Sequence, residues 1–251
     1  MVKELKQFRV MTFNIRKGLG ASGLNVNLKQ IREALRHVTA DIVFLQEVMG
    51  HSQKSIHAKA GLGGDHLEFL ADSVWTHSAY GKNAIYTNGH HGNAILSKFP
   101  FDSWTNIDIS NSRFEKRGLL HGVIQYHKKN IHIICLHLDL FERGRKVQLT
   151  RLIDLIQSMI SKNEPLLVAG DFNDWRELAT RQLREQLNLS EVGLETNGKH
   201  LKTFPAWLPL LPLDRIYFRG LKLNKAQVFN EKKWQNISDH QALIADFIWP
   251  S

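Results

Sequence analysis

The segment LLVAGDFNDW, residues 166–175, runs an apolar stretch from Leu166 to Ala169 into Gly170. It then sets Asp171, Asn173 and Asp174 within four positions. A short run of Leu and Val reads as a buried strand. A buried strand that ends in acids and an amide hands polar groups to the edge of a core. The same design recurs. VMTFNI (10–15) puts Asn14 after apolar residues, and DIVFLQEV (41–48) closes on Gln46 and Glu47. IICLHLDL (133–140) delivers His137 with Asp139 behind it. LPLDRIYF (211–218) opens a strand at Asp214, and NISDHQALIADF (236–247) sets Asp239 and His240 just before the last strand.

Further strands are expected in GNAILSKF (92–99) and in LHGVIQY and NIHIICLHL, which together read as a hairpin. Between the strands lie helical patterns. Leu28, Ile31, Leu35 and Val38 make one apolar stripe, and Val147, Leu152, Leu155, Ile156 and Met159 make another. Residues 66–75 suggest a short helix. The stretch from Gly50 to Gly64 reads as a long loop, and Phe204 to Pro212 as a loop rich in Pro and Leu. Strands and helices alternate without a repeat or linker, so residues 1–251 read as a single α/β domain with mixed sheets.

The chain has 251 residues, 43% of them hydrophobic and 23% charged, which suits one sizeable core rather than a disordered chain. No apolar run is long enough for a membrane span, and the first ten residues hold no apolar signal core. The lone Cys135 cannot form an internal disulfide, which fits a reducing, cytoplasmic setting. A formal charge of +9 favours polyanionic partners: nucleic acid, phosphorylated metabolites or an anionic membrane surface. No protein partner is inferred.

If the strand ends converge, the acids, amides and histidines make a pocket of hard oxygen donors with imidazoles at its rim. Mg2+ and Mn2+ prefer such donors, and no thiolate or paired-histidine zinc motif competes. TFNI, LQEV, GDFN, LDRIYF and SDH, in that order from Arg9 to Phe247, resemble the endonuclease/exonuclease/phosphatase superfamily. That group includes deoxyribonuclease I-like enzymes, abasic-site endonucleases, inositol-phosphate phosphatases, poly(A) nucleases and bacterial sphingomyelinases. The resemblance implies a four-layer α/β sandwich, two packed mixed β-sheets flanked by helices, in a small single-domain bacterial-type member.

It also implies roles. Glu47 matches the principal metal ligand, and Asn14 and Asp239 match the groups that hold the Mg2+ (or Mn2+) directly or through water. Asp171 matches the residue that positions or deprotonates the attacking water, with Asn173 its neighbour on the phosphate. His240 matches the histidine that steadies charge on phosphorus, with Asp214 orienting its ring. His137 sits where one branch has a histidine; the abasic-site endonucleases have a tyrosine there. The expected activity is metal-dependent phosphoester hydrolysis, above all of nucleic-acid phosphodiesters. The alternatives are a phospholipid or soluble phosphomonoester hydrolase, or a module that binds phosphate without cleaving it.

Setting aside Glu47, Asp171, Asp214 and Asp239, 20 of the 24 acids remain against 33 Lys and Arg, so the surface outside the pocket is more basic than the total suggests. Arg143, Arg145 and Lys146 follow the His137 strand and either grip phosphate at the rim or occupy a solvated loop. Arg117 precedes a strand and is a candidate phosphate contact. Trp207 stands in an apolar loop upstream of Asp214. It would stack on a base, touch a lipid, or pack back on the core. His90 and His91 read as solvent-exposed residues of a Gly-flanked loop.

Overall fold

The computed structural model describes residues 7–23, 25–50, 65–86, 89–111, 115–126 and 129–248. Two six-stranded sheets pack face to face. The first holds β1 (Gln7–Asn14), β2 (Ile42–Met49), β3 (His77–Tyr86), β4 (Gly89–Ser97), β11 (Lys222–Phe229) and β12 (Ala242–Ile248), in the order β11-β12-β1-β2-β4-β3. The second holds β5 (Phe101–Asp108), β6 (Gly118–Tyr126), β7 (Lys129–His137), β8 (Leu166–Asp171), β9 (Ser190–Glu191) and β10 (Asp214–Arg219), in the order β5-β6-β7-β8-β10-β9. Each sheet has one parallel pair near its middle, β1 with β2 and β7 with β8; the other pairings are antiparallel.

The near-continuous apolar strands are explained by burial on both faces. In β1, Phe8 and Val10 point between the sheets, where they meet Ile42, Phe44, Leu120, Ile133, Leu167 and Ile216. Met11 and Phe13 point the other way, onto α1 (Leu28–Val38) and α2 (His66–Ala71) through Ile31, Leu35 and Leu70. On the far side, Ile134, Leu136 and Val168 pack under α3 (Glu142–Met159) and α4 (Leu178–Leu187). Helix, sheet, sheet and helix thus form four layers, as the resemblance implies. The α1 stripe lies inward over its whole length, and the helix stops where Thr39 turns left-handed at φ 55°.

The expected hairpin is β6–β7, with Leu120 opposite Cys135. Three longer strands carry no readable signal. β5 and β11 are mostly exposed edge strands, so their sequences FDSWTNID and KLNKAQVF lack an apolar alternation. β3 is interrupted by Gly81, Lys82 and Asn83. The two-residue β9 and the short α5 (Val192–Asn197) are equally silent. So is α4, which buries only Ala179, Leu183 and Leu187. The helix at 66–75 ends at Ala71, where Asp72 turns left-handed. α3 begins at Glu142, so Arg143, Arg145 and Lys146 lie on its first turns and not in a loop. His90 and His91 are half-buried in β4, contrary to the loop reading, because β4 extends back to Gly89 to pair with both β2 and β3. Most of the expected loop, residues 51–64, lies outside the described residues. Among the described residues no helix is long and apolar enough to cross a membrane.

Candidate functional site

Strand register assembles the site. β7 and β8 run parallel with His137 beside Asp171, and β10 runs antiparallel with Asp214 on the other side of Asp171. In the first sheet β1 and β2 run parallel, with Asn14 beside Gln46 and therefore next to Glu47. The carboxyl ends of both parallel pairs open at the same end of the sandwich. The Ser238 hydroxyl donates to the Asn14 carbonyl at 2.7 Å, which draws Asp239 and His240 to that end as well.

Local backbone devices aim the side chains. Glu47 has φ 57° and lies in a β-bulge between Leu45 and Val48. The extra residue breaks the in–out alternation and turns Glu47 into the pocket. Gly170 has φ 147°, and a Cβ there would sit 2.0 Å from the Leu136 carbonyl oxygen. Only glycine lets β8 run this close to β7 just before Asp171. Asn173 is left-handed at φ 48°, and its amide donates to Asp171 Oδ1 at 2.9 Å. That turn, built from an Asx side chain, is the local reason for GDFN.

Asp171 is the hub. Its Oδ2 accepts from Asn14 Nδ2 at 3.0 Å and lies 3.5 Å from His137 Nε2 and 3.8 Å from His240 Nε2. Asn14 Nδ2 also reaches Glu47 Oε1 at 3.4 Å, and Asn14 Oδ1 accepts from the Arg16 amide. His240 Nδ1 lies 2.8 Å from Asp214 Oδ2, which also accepts from the Thr203 hydroxyl at 2.6 Å. The Phe204 ring covers the His240 ring, with centroids 4.9 Å apart. Asp239 is half-exposed and its Oδ2 lies 3.2 Å from Arg16 Nε.

The charges differ sharply between the two imidazoles. Burial disfavours the His240 cation, but Asp214, Asp171 and Asp239 outweigh it and raise the ring to about 10. His137 is held neutral, well below its ordinary value, by burial and by the charges of Arg117, His240, His91 and Lys17. Burial raises the Asp171 carboxyl to about 6, the Asp214 charge adds to this, and His240 and Asn14 oppose it. One carboxylate thus stands between a protonated and a neutral histidine.

The donor set suits a hard divalent cation. Glu47, Asp171, Asp214 and Asp239 bring four carboxylates to one end of the sandwich, and the buried Asp214 Oδ1 has no hydrogen-bond partner. Asp171, Asp214 and His240 offer ligand atoms within 4.8 Å of one another. Asp214 and His240 are already hydrogen-bonded to each other, so the better seat is beside Glu47, where a cleft of about 1000 Å3 opens past Lys17, His91 and Arg117. Asn14 presents its amino group to the carboxylates, so direct ligation through its oxygen would require the amide to turn over.

The structure brings Asn14, Glu47, His137, Asp171, Asn173, Asp214, Asp239 and His240 to this end of the sandwich. Asn173 Nδ2 is committed to the Leu138 carbonyl at 3.0 Å, leaving one amide hydrogen for a ligand. Arg117 is half-buried in the Glu47 cleft and paired with Glu115. Arg143 is exposed on the first turn of α3. Arg145 departs from the expected rim position: it is buried and donates to the Asp139 and Leu140 carbonyls, holding the turn into α3. Asp139 and Asp174 are likewise structural, since Asp139 accepts from the Phe141 amide and Asp174 from the Ala179 amide. Trp207 is exposed.

Sequence reasoning passed over Arg16, Thr203 and Ser238 and set His91 aside as an exposed loop residue. Ser238 opens the SDH motif and Arg16 stands two residues after Asn14, whereas Thr203 carried no signal.

The profile of the Endonuclease/Exonuclease/phosphatase family matches residues 11–240. The chain is 43% identical over 242 residues to the Escherichia coli (strain K12) protein YbhP, covering 95% of each. A solved endonuclease/exonuclease/phosphatase from Beutenbergia cavernae DSM 12333 superposes with a TM-score of 0.83 at 19% identity, over 98% of this chain and 72% of that one. D. rerio TDP2 in complex with a single-strand DNA product superposes with a TM-score of 0.70 at 16% identity, over 96% and 99%. At such identities the last two likenesses speak for the fold.

Proposed function

This chain belongs to the endonuclease/exonuclease/phosphatase family, and from that premise we propose that it is a divalent-metal-dependent hydrolase of phosphodiesters. The carrying observation is the Asp171 carboxylate, which register places between His137 and Asp214 and which faces both imidazoles and the Asn14 amide. Glu47 and Asp239, with Asp171 beside them, would hold Mg2+ or Mn2+, whose charge at this site offsets the negative charge that builds on a phosphate under attack.

The chain's own groups supply the rest. Asp171 is the base that takes a proton from the attacking water. A buried carboxyl near 6 is basic enough to do so and still ionised at neutral pH. His240, an imidazolium through neutral pH, donates to a non-bridging phosphate oxygen and stabilises the added charge. Asp214 holds the His240 ring by Nδ1 and leaves Nε2 facing the pocket. Neutral His137 and the remaining Asn173 amide hydrogen orient the phosphate, and Arg117 and Lys17 line its approach.

Two substrate classes fit such a site. A nucleic-acid strand is favoured by the formal charge of +9 and by the likeness to TDP2 bound to a DNA product. A phospholipid head group is favoured by the exposed apolar loop at Trp207. A cytoplasmic setting rests on the single cysteine, Cys135. The test is a Mg2+- and Mn2+-dependent screen across DNA, RNA, phospholipids and phosphomonoesters, with Asp171→Ala as control. Turnover that needs the metal and is lost in Asp171→Ala supports the proposal. No turnover on any of these, or an Asp171→Ala protein as active as the parent, ends it.

A further inference from the structure

We propose that the loop at residues 204–212, with its neighbours Leu140–Phe141 and Trp175–Leu178, docks on an anionic phospholipid bilayer, so that the diester reaching the site is carried by a lipid. Docking stands on this surface alone, whereas cleavage of a lipid-borne diester rests on the hydrolase reading.

The loop reads FPAWLPLLP, with no charged or hydroxyl-bearing side chain. Trp207, Leu208 and Leu210 are 69%, 48% and 54% exposed. Its backbone needs little water. The amides of Phe204, Ala206, Leu208, Leu210 and Leu211 all donate to carbonyls, those of Leu211, Asp239, Pro205 and, twice, Phe204. Pro205, Pro209 and Pro212 carry no donor. Five of the loop's six backbone amides are thus paired, which lowers the cost of leaving water for a lipid interface.

Polar contacts tie the loop to two neighbouring segments. The buried Arg215 donates to the Pro212 carbonyl at 3.1 Å and also holds Asp174, tying the loop's base to the turn that carries Trp175. Arg176 in turn binds Glu142 at 2.8 Å, tying that turn to the start of α3 beside Leu140 and Phe141. Of the eleven large apolar side chains exposed among the described residues, seven belong to these three segments. Single exposed apolar residues need no explanation, but a rim of seven beside a pocket marks an interaction surface.

The chemistry of the rim favours lipid over nucleic acid. Leu140, Leu178, Leu208 and Leu210 have no flat π face for a base to stack on, and nucleic-acid interfaces are polar and basic. One face of Trp175 is already covered by the Arg176 guanidinium, 4.7 Å from the ring centroid. Leucines gain by entering the acyl boundary, tryptophan favours the interface, and a net positive chain is drawn to an anionic leaflet.

The test is cosedimentation of the full chain with phosphatidylcholine vesicles, with and without phosphatidylglycerol, in chelator so that docking is read without turnover. The parent should sediment with the anionic vesicles. A Trp207→Ser/Leu208→Ser/Leu210→Ser variant that melts like the parent should bind them about tenfold more weakly or worse. Phe141→Ser, on a separate element, should weaken binding in the same direction. A parent that stays in the supernatant, or a triple variant that binds like the parent, overturns docking. So does a triple variant that loses affinity for a single-stranded oligonucleotide instead. Hydrolysis of bis(p-nitrophenyl) phosphate with Mn2+ is scored separately. Its absence, together with no turnover in the substrate screen, would remove the hydrolase reading and leave the vesicle result standing.

Discussion

His240 Nδ1 sits 2.8 Å from Asp214 Oδ2, and both side chains are buried. The pair joins the start of β10 in one sheet to the residues that lead into β12 in the other. It keeps the imidazole charged: burial opposes the cation, and Asp214, Asp171 and Asp239 raise the ring to about 10. A group whose folded value is raised contributes stability that is fully present below its ordinary value, about 6.5, and lost as pH rises through about 10. Urea midpoints of the parent should therefore fall from neutral pH to beyond pH 10. Asp214→Asn should flatten that fall, cost about 3–5 kcal/mol at neutral pH by breaking a buried pair, and move the alkaline limb of turnover to lower pH. An unchanged slope in Asp214→Asn would show that the pair does not set the His240 charge.

Glu47 should govern metal affinity. In the parent, Mg2+ or Mn2+ at a hundredfold excess over its Kd should stabilise the fold by about 2.7 kcal/mol, read as a rise in Tm that chelator reverses. Glu47→Gln should abolish most of that rise while leaving the metal-free Tm close to that of the parent, because Glu47 is half-exposed and makes one long contact to Asn14. An equal rise in both proteins would move the metal away from Glu47.

Gly170→Ala tests the strand spacing before Asp171. The new Cβ would meet the Leu136 carbonyl oxygen at 2.0 Å in a backbone already at φ 147°. The strands would have to part, at a cost of about 3–5 kcal/mol, visible in the denaturant midpoint. Turnover should fall as well, since Asp171 would move with the strand.

Arg215 is a fully buried cation. It reaches Asp174 Oδ2 at 3.3 Å, the Tyr217 hydroxyl at 3.1 Å and the Thr180 hydroxyl at 3.2 Å. Arg215→Met should cost about 3–5 kcal/mol, because it strands the Asp174 carboxylate in the interior. Adding Asp174→Asn should recover part of that loss. Simple additivity in the double-mutant cycle would show that the two side chains are not coupled.

The sequence alone determined a single α/β domain with mixed sheets and the identity of the polar residues at the strand ends, and the four-layer arrangement came with the family resemblance. Apolar runs such as Leu166–Ala169 and Ile42–Leu45 can be stable only when covered on both faces, and that demand is local and legible. GDFN also carries its own turn, since the Asx side chain of Asp171 captures the Asn173 amide two residues on. Edge strands β5 and β11 were illegible because half-solvated strands need no apolar pattern.

Only the tertiary structure decided what the polar residues do to one another. Register set Asp171 between His137 and Asp214, and a bulge turned Glu47 inward. Nothing near Arg145 in the chain distinguished it from Arg143, yet one is buried on backbone carbonyls and the other is exposed. His91 looked like a loop residue and lines the Glu47 cleft. The physical reason is range. Turn chemistry acts over two or three residues. The charge on His240 depends on carboxylates at Asp171 and Asp214, which are far away along the chain and a few ångströms away in space.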